Sequence, residues 1–171
     1  PQAGRERTYQ ITKVCQKKNV VVIGGGMAGM EAARVADLYG HNVTLIEKTD
    51  KLGGHFIEGT KPEFKVEAKG VLEWKRTQLA KSKVSVMLNT EATPELVKEL
   101  KPDALIIAVG SDYIVPAIPG IEHTITAETA LMETEKVADK VVVIGGGLVG
   151  AETALYLGQK GKDVTILEQL D

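Results

Sequence analysis

Aromatic residues make up only 4% of this 171-residue chain, and it holds a single cysteine, Cys15. One cysteine can form neither an internal disulfide nor a CxxC redox or zinc pair, so Cys15 reads as a passive linker thiol. No apolar run approaches the roughly 18–20 residues of a membrane span. The opening PQAGRERTYQ lacks the apolar core of a signal peptide, and a cytoplasmic protein is expected. Neither sign of charge dominates: 21 basic against 23 acidic residues leave a net −2 with no basic patch, which argues against nucleic acid binding. There is no Ser-His-Asp arrangement, no HExxH and no Cys/His metal spacing, so no catalytic acid–base residue and no metal ligand is nominated. His41 and His123 read as turn and surface residues. The chain does have 43% hydrophobic and 26% charged residues, the composition of a folded globular protein. It also has 18 glycines, and their positions carry the reading.

Those glycines fall in an internal repeat. Residues 20–47 align without a gap to residues 141–168 at a constant offset of 121, and 14 of the 28 paired positions are identical. VVVIGGGMAGMEAA at Val20–Ala33 faces VVVIGGGLVGAETA at Val141–Ala154, and GHNVTLIE at Gly40–Glu47 faces GKDVTILE at Gly161–Glu168. Similarity at a fixed offset means that one supersecondary unit occurs twice. Each copy reads strand, tight turn, helix, strand. Val20–Ile23 is an all-apolar β-branched run, as in a parallel strand covered on both faces. Met27–Tyr39 then reads as a helix, Gly40 as its left-handed C-cap, and Val43–Ile46 as the second strand. The second copy predicts Val141–Ile144, Leu148–Lys160, Gly161 and Val164–Leu167.

Between the copies, Pro62 to about Lys81 predicts a helix contacting the core through Phe64, Val71, Trp74 and Leu79, with a break possible at Gly70. Val84–Leu88 predicts a strand, Pro94–Leu100 a short helix, and Ala104–Val109 a fully buried strand. GSDYIVPAIPG sets two prolines and two glycines within 11 residues and reads as a linker. A further helix is expected between Glu122 and Lys140. The expected fold is α/β: Rossmann-like tandem dinucleotide-binding units with parallel sheet, the second unit incomplete. The division reads as an N-terminal extension over 1–19, a first dinucleotide domain over 20–120, a linker with a helix over 121–140, and the start of a second domain over 141–171.

The spacing carries chemistry. GGGMAG sets Gly24, Gly26 and Gly29 in GxGxxG register, with Met27 and Ala28 between the last two. The first glycine permits the turn out of the strand, the second lets bare backbone approach a pyrophosphate, and the third lets helix and strand pack closely. The helix N-terminus presents unpaired N–H groups and a positive dipole end to the phosphates. Glu47, 18 residues after Gly29, is placed to accept hydrogen bonds from an adenosine ribose, and Glu168 stands 18 residues after Gly150. Chance would produce about 0.2 such glycine matches in a chain of this composition, so one would be weak and two in register are strong.

Tandem dinucleotide folds are the layout of flavoprotein reductases, and here the resemblance is closer. PQAGRE, KKNVVVIGGGMAGMEAA, GHNVTLIEKTDKLGG, PDALIIAVGS, PAIPG and KVVVIGGGLVGAETAL resemble the C-terminal half of the NADH:flavin oxidoreductases related to 2,4-dienoyl-CoA reductase, enoate reductase and trimethylamine dehydrogenase. The resemblance implies FAD on the first unit and NAD(P)H on the second. It carries over Gly24, Gly26 and Gly29 as pyrophosphate contacts, Met27 and Ala28 between them as cofactor-binding residues, Glu47 as ribose acceptor and Lys48 as a neighbour of adenine. Gly53, Gly54 and His55 would lie near the flavin ring, and Val109-Gly110 would close against it, with Val where the family has Thr. For the nicotinamide cofactor it carries over Gly145, Gly147, Gly150, Glu152 and Glu168, and an acid at Glu168 favours NADH over NADPH. In the parent the resemblance implies, hydride passes from NADH to FAD and electrons continue through a [4Fe–4S] cluster to FMN in a TIM-barrel domain, reducing an activated C=C bond. That barrel would precede Pro1, so the chain reads as a fragment of a larger enzyme. The absence of CxxxxC near the flavin loop argues against a thiol–disulfide reductase. Two alternatives remain: an amine-dehydrogenase-type relative with structural ADP in the first site, and a nucleotide-binding module without activity of its own.

Overall fold

The structure is a computed structural model describing residues 4–169, so the start of the PQAGRE segment and the last two residues lie outside the described residues. Element order is β1 (Asn19–Ile23), α1 (Met27–Tyr39), β2 (Asn42–Ile46), the single turn α2 (Phe56–Gly59), α3 (Val66–Ala80), β3 (Ser85–Met87), α4 (Pro94–Leu100) and β4 (Ala104–Ile107). There follow α5 (Ala127–Met132), β5 (Lys140–Ile144), α6 (Leu148–Gln159) and β6 (Asp163–Leu167). The chain divides into two compact units, Pro1–Ile57 with Glu67–Ser111 and Glu58–Val66 with Asp112–Asp171.

In the first unit four parallel strands lie in the order β3-β2-β1-β4. Val22 pairs in register with Leu45 on one side and Ile106 on the other. The run of β-branched residues in β1 explains its central place: Val20, Val21 and Val22 are all buried, as a strand covered on both faces requires. Val22, Leu45 and Met30 join Val20, Ala33, Val43, Leu72 and Leu79 in one core. Full burial of a side chain such as Leu45 is worth about 1.5–3 kcal/mol. Gly40 closes α1 in the left-handed conformation, its N–H donating to the Ala36 and Asp37 carbonyls.

Two expectations about packing need correction. The helix after Pro62 starts at Val66, following a 3-10 turn over Glu63–Lys65, and passes unbroken through Gly70. It reaches the core through Leu72 and Leu79, while Phe64, Val71 and Trp74 are exposed. Trp74 takes two cations on its ring instead, with Arg34 at 5.5 Å and Lys75 at 5.3 Å from the centroid. The strand read as Ala104–Val109 ends at Ile107 and is not fully buried, because β4 is the sheet edge and alternate residues leave Leu105 and Ile107 exposed.

The second unit repeats β-α-β with β5 and β6 paired in parallel, Val142 opposite Thr165. Ala130, Leu131, Val137, Tyr156 and Leu157 form its core, with Val141 and Val164 packed against them. The other face of the two strands leaves Val142, Ile144 and Ile166 exposed. Lys160 pairs with Glu63 at 2.5 Å and Lys65 with Glu152, which ties the 58–66 segment into this unit. The linker over 110–120 forms no regular element. No helix among the described residues is long and apolar enough to cross a membrane.

Candidate dinucleotide-binding sites

β1 runs straight into the glycine corner. Gly24 adopts φ 101°, a conformation that side chains disfavour, and its N–H donates to the Ile46 carbonyl at 2.8 Å. A Cβ on Gly24 would lie 2.3 Å from the Ala108 carbonyl oxygen, and one on Gly29 would lie 1.8 Å from the Gly24 oxygen. Those two glycines let strand, loop and helix touch. Gly26 differs, because a Cβ there would meet nothing within 4 Å. The backbone faces open space at the position where the spacing calls for a pyrophosphate.

Gly26 is also the N-cap of α1, with no side-chain capping bond and no acid in the first turn. Within the helix, Met30 N–H donates to Gly26 O at 2.9 Å, which leaves the N–H groups before it without an intrahelical acceptor. Gly147 caps α6 in the same bare way. The other capped helices are finished differently: Thr93 accepts from Leu96 N–H ahead of α4, Thr126 accepts from Thr129 N–H ahead of α5, and Glu95 and Glu128 stand in their first turns. The two repeat helices therefore keep N–H groups without an intrahelical acceptor and a first turn free of acids, an arrangement that suits an anion.

Glu47, at the end of β2, is 7% exposed and already spoken for. Its Oε2 accepts from Gly25 N–H at 2.6 Å, and its Oε1 accepts from the Thr49 N–H and hydroxyl, each at 2.8 Å. Burial pushes its pKa up, but the bonds from Thr49 and Gly25, with the Lys48 charge beside it, carry it below the ordinary carboxylate value. It thus stays ionised next to the loop. Glu168 repeats the geometry, with Gly146 N–H donating to its Oε2 at 2.6 Å and Gln169 N–H to its Oε1 at 2.7 Å. Both acids hold the middle glycine of their own loops while standing at the strand end where a ribose would lie.

The Leu52-Gly53-Gly54 loop folds onto the first corner. Gly53 N–H donates to Gly25 O at 2.8 Å, and Gly26 and Gly53 form a parallel bridge. This brings Gly53 and Gly54 to Gly25 and Gly26. His55 is exposed, with its Nε2 3.0 Å from the Ser111 carbonyl oxygen. Val109 and Gly110 are exposed just after Ala108, whose oxygen backs Gly24, and Lys48 is exposed beside Glu47. Met27 and Ala28 form the first turn of α1. In the second unit Gly145 adopts φ 103°, and a Cβ on Gly150 would lie 1.9 Å from the Gly145 oxygen, as in the first copy. Glu152 is occupied by the Lys65 ammonium.

Sequence reasoning missed Gly25, Thr49 and Arg76. A Cβ on Gly25 would come within 2.6 Å of Leu52 Cδ2 and 3.0 Å of Glu47 Cβ. The identity of all three glycines in both copies was the available signal. Thr49 bonds Glu47 only two residues away but belongs to no motif that marks it, and Arg76 acts on Leu52, which the fold brings to it across 24 residues.

Residues 18–171 match the family described as Pyridine nucleotide-disulphide oxidoreductase. Cinnamate reductase of Clostridium sporogenes is 46% identical over 168 residues, which are 98% of this chain and 25% of that protein. NADH oxidase of Thermoanaerobacter brockii is 42% identical over 177 residues, 99% of this chain and 27% of that protein. A solved 2-naphthoyl-CoA reductase in complex with 2-naphthoyl-CoA matches with a TM-score of 0.89 and 37% identity, covering 97% of this chain and 26% of that one. The chain spans about a quarter of the length of these relatives. They bear out the resemblance to enoate-reductase-type flavin oxidoreductases. The only cysteine, Cys15, is exposed, so the disulfide chemistry in the family's description has no cysteine pair within these residues. On the match to residues 18–171 and the two bare-capped glycine corners, the chain belongs to the pyridine nucleotide-disulphide oxidoreductase family.

Proposed function

We propose that the first unit holds FAD and the second NADH, as the cofactor-binding portion of an oxidoreductase that reduces an activated C=C bond. The carrying observation is the pair of glycine-capped helix ends with no acid in the first turn, each beside a strand-end acid that accepts from the middle glycine of its loop. In the first unit Gly24, Gly26, Met27, Ala28 and Gly29 would take the pyrophosphate, Glu47 the ribose and Lys48 the adenine side. Gly53, Gly54, His55, Val109 and Gly110 would line the remainder. In the second, Gly145, Gly147, Gly150 and Glu168 would take NADH, and the Glu168 carboxylate would repel the 2′-phosphate of NADPH. Glu152, held by Lys65, would be a neighbour of the nicotinamide. Bound FAD supplies a hydride acceptor for NADH and a donor of single electrons toward an iron–sulfur and FMN module elsewhere in the parent. These residues contribute position and electrostatics. Reduction of a C=C bond is supported by the similarity to cinnamate reductase.

Titration with FAD tests the reading. Gly26→Val puts a branched side chain where bare backbone meets open space, leaving the fold intact. Loss of two charge-assisted hydrogen bonds would weaken FAD by about 100-fold or more. Unchanged FAD affinity in that variant would remove Gly26 from the site. Absorbance of the bound nucleotide separates the amine-dehydrogenase-type alternative, since FAD gives a yellow flavin band and ADP gives none. Binding of adenine nucleotides with no reduction by NADH in the complete protein would support the third reading, a binding module without activity.

A further inference from the structure

Arg76, on α3, spends most of its guanidinium on one backbone carbonyl. Its Nε donates to Leu52 O at 2.9 Å and its Nη2 to the same oxygen at 2.5 Å. Its Nη1 donates to Glu73, one turn back, at 2.8 Å, which aims the fork. The Leu52 carbonyl and the Gly53 N–H belong to one peptide group. That N–H donates to Gly25 O at 2.8 Å, and Gly25 O shares its peptide group with the N–H of Gly26, at the open end of α1. A cation therefore sits at the head of two hydrogen-bonded peptide groups in series, ending on the glycine at the centre of the cradle. Peptide groups in such chains polarise one another, so a positive charge on the first oxygen strengthens the last N–H as a donor.

We propose that Arg76 is a positioning residue for the pyrophosphate cradle. It fixes the Leu52-Gly53-Gly54 loop against Gly25 and Gly26, and it relays its charge to the Gly26 N–H without touching the cofactor. The inference rests on the reading of the first unit as a dinucleotide site. The geometry explains why the loop must be glycine-rich. Gly53 stands at φ 137°, and a Cβ there would lie 3.2 Å from Arg76 Nη2 and 2.7 Å from Ile57 Cγ1. A Cβ on Gly54 would lie 3.2 Å from Gly26 Cα. A side chain at Gly53 would press on the guanidinium that holds the loop, and one at Gly54 on the corner itself.

The test uses the complete protein and two readouts: FAD affinity by titration, and hydrogen exchange at the Gly53 amide in the flavin-free state. Arg76→Met keeps the aliphatic stem over the loop and removes the fork. The Gly53 amide should then exchange about tenfold faster, and FAD should bind about tenfold more weakly, the loss expected when a charge-assisted bond is removed. Arg76→Lys restores the charge on one nitrogen without the planar fork and should recover part of both. Unchanged Gly53 exchange and FAD affinity in Arg76→Met would overturn the proposal, as would full recovery in Arg76→Lys, because the fork geometry would then be irrelevant. If Arg76→Met does not fold, Arg76→Lys alone decides, and wild-type values for both readouts would overturn the proposal. A wild-type protein without FAD affinity would overturn the dinucleotide reading instead, while Gly53 exchange would still judge the hold of Arg76 on its loop.

Discussion

Gly24, Gly26 and Gly29 look alike in a spacing pattern, yet the structure gives them unlike tasks. Gly24 and Gly29 are glycine because protein atoms leave no room, and Gly26 is glycine where the protein leaves room unused. Alanine at each position separates the two cases. Gly29→Ala forces a methyl against the Gly24 oxygen, and such overpacking should lower stability by about 3 kcal/mol in thermal unfolding. Gly26→Ala loses little fold stability, under about 1 kcal/mol for a changed cap, and its effect should appear in FAD affinity instead. Equal destabilisation by both would erase the distinction. At this scale the motif glycines and Glu47 were legible in the sequence, because spacing reports local backbone geometry. What spacing could not show is that the Glu47 carboxylate already serves Gly25, a bond between residues 22 apart that exists only once β1 and β2 pair.

Elements were legible where their ends carry chemistry. The helices Met27–Tyr39 and Pro94–Leu100 were bounded as observed, the first by Gly40 and the second by Pro94 at its start. α3 was misjudged because its apolar residues are spread around the helix, and only the fold decides that Leu72 and Leu79 turn inward. Its outer side does something composition does not announce. Glu31 on α1 accepts from Arg34 at 2.8 Å and from Lys75 of α3, and both cations lie over Trp74. The hydrogen bond from Arg34 does most to hold the Glu31 carboxyl down to about 2, Lys75 adds to it, and partial burial opposes both. A folded-state value below the ordinary 4.5 means that this contribution is complete above about pH 4.5 and is lost as the pH falls toward 2. Acid unfolding of Glu31→Gln, followed by circular dichroism, should therefore show a shallower pH dependence than wild type across that window, the part from Glu47 and other carboxyls remaining. Above it the variant should be the less stable of the two. A variant that follows the wild-type curve throughout would mean that α1 and α3 are held by Leu72 and Leu79 alone.

At the level of the whole molecule, the repeat at offset 121 announces two units, and the structure has two, each with its own core. The assignment of residues 58–66 to the second unit had no local signal, since it rests on Lys65 meeting Glu152 and Glu63 meeting Lys160 across about 90 residues of chain. The units are unequal. One has four strands with Val22 and Leu45 fully buried, and the other has two strands with Val142 and Ile144 exposed, a sheet of only marginal independent stability. Each unit should then answer to its own ligand, because a ligand stabilises only what it binds in the folded state. At 100 times its dissociation constant that stabilisation is about 2.7 kcal/mol, or about 100-fold in amide protection. Native-state hydrogen exchange should show FAD slowing the amides of Val22 and Leu45 by about that factor and leaving those of Val143 and Thr165 unchanged, while NADH does the reverse. Without ligand, Val143 and Thr165 should exchange first. If either cofactor alone slowed both sets equally, the two corners would report to a single cooperative body, and the repeat would mark common ancestry without separate sites.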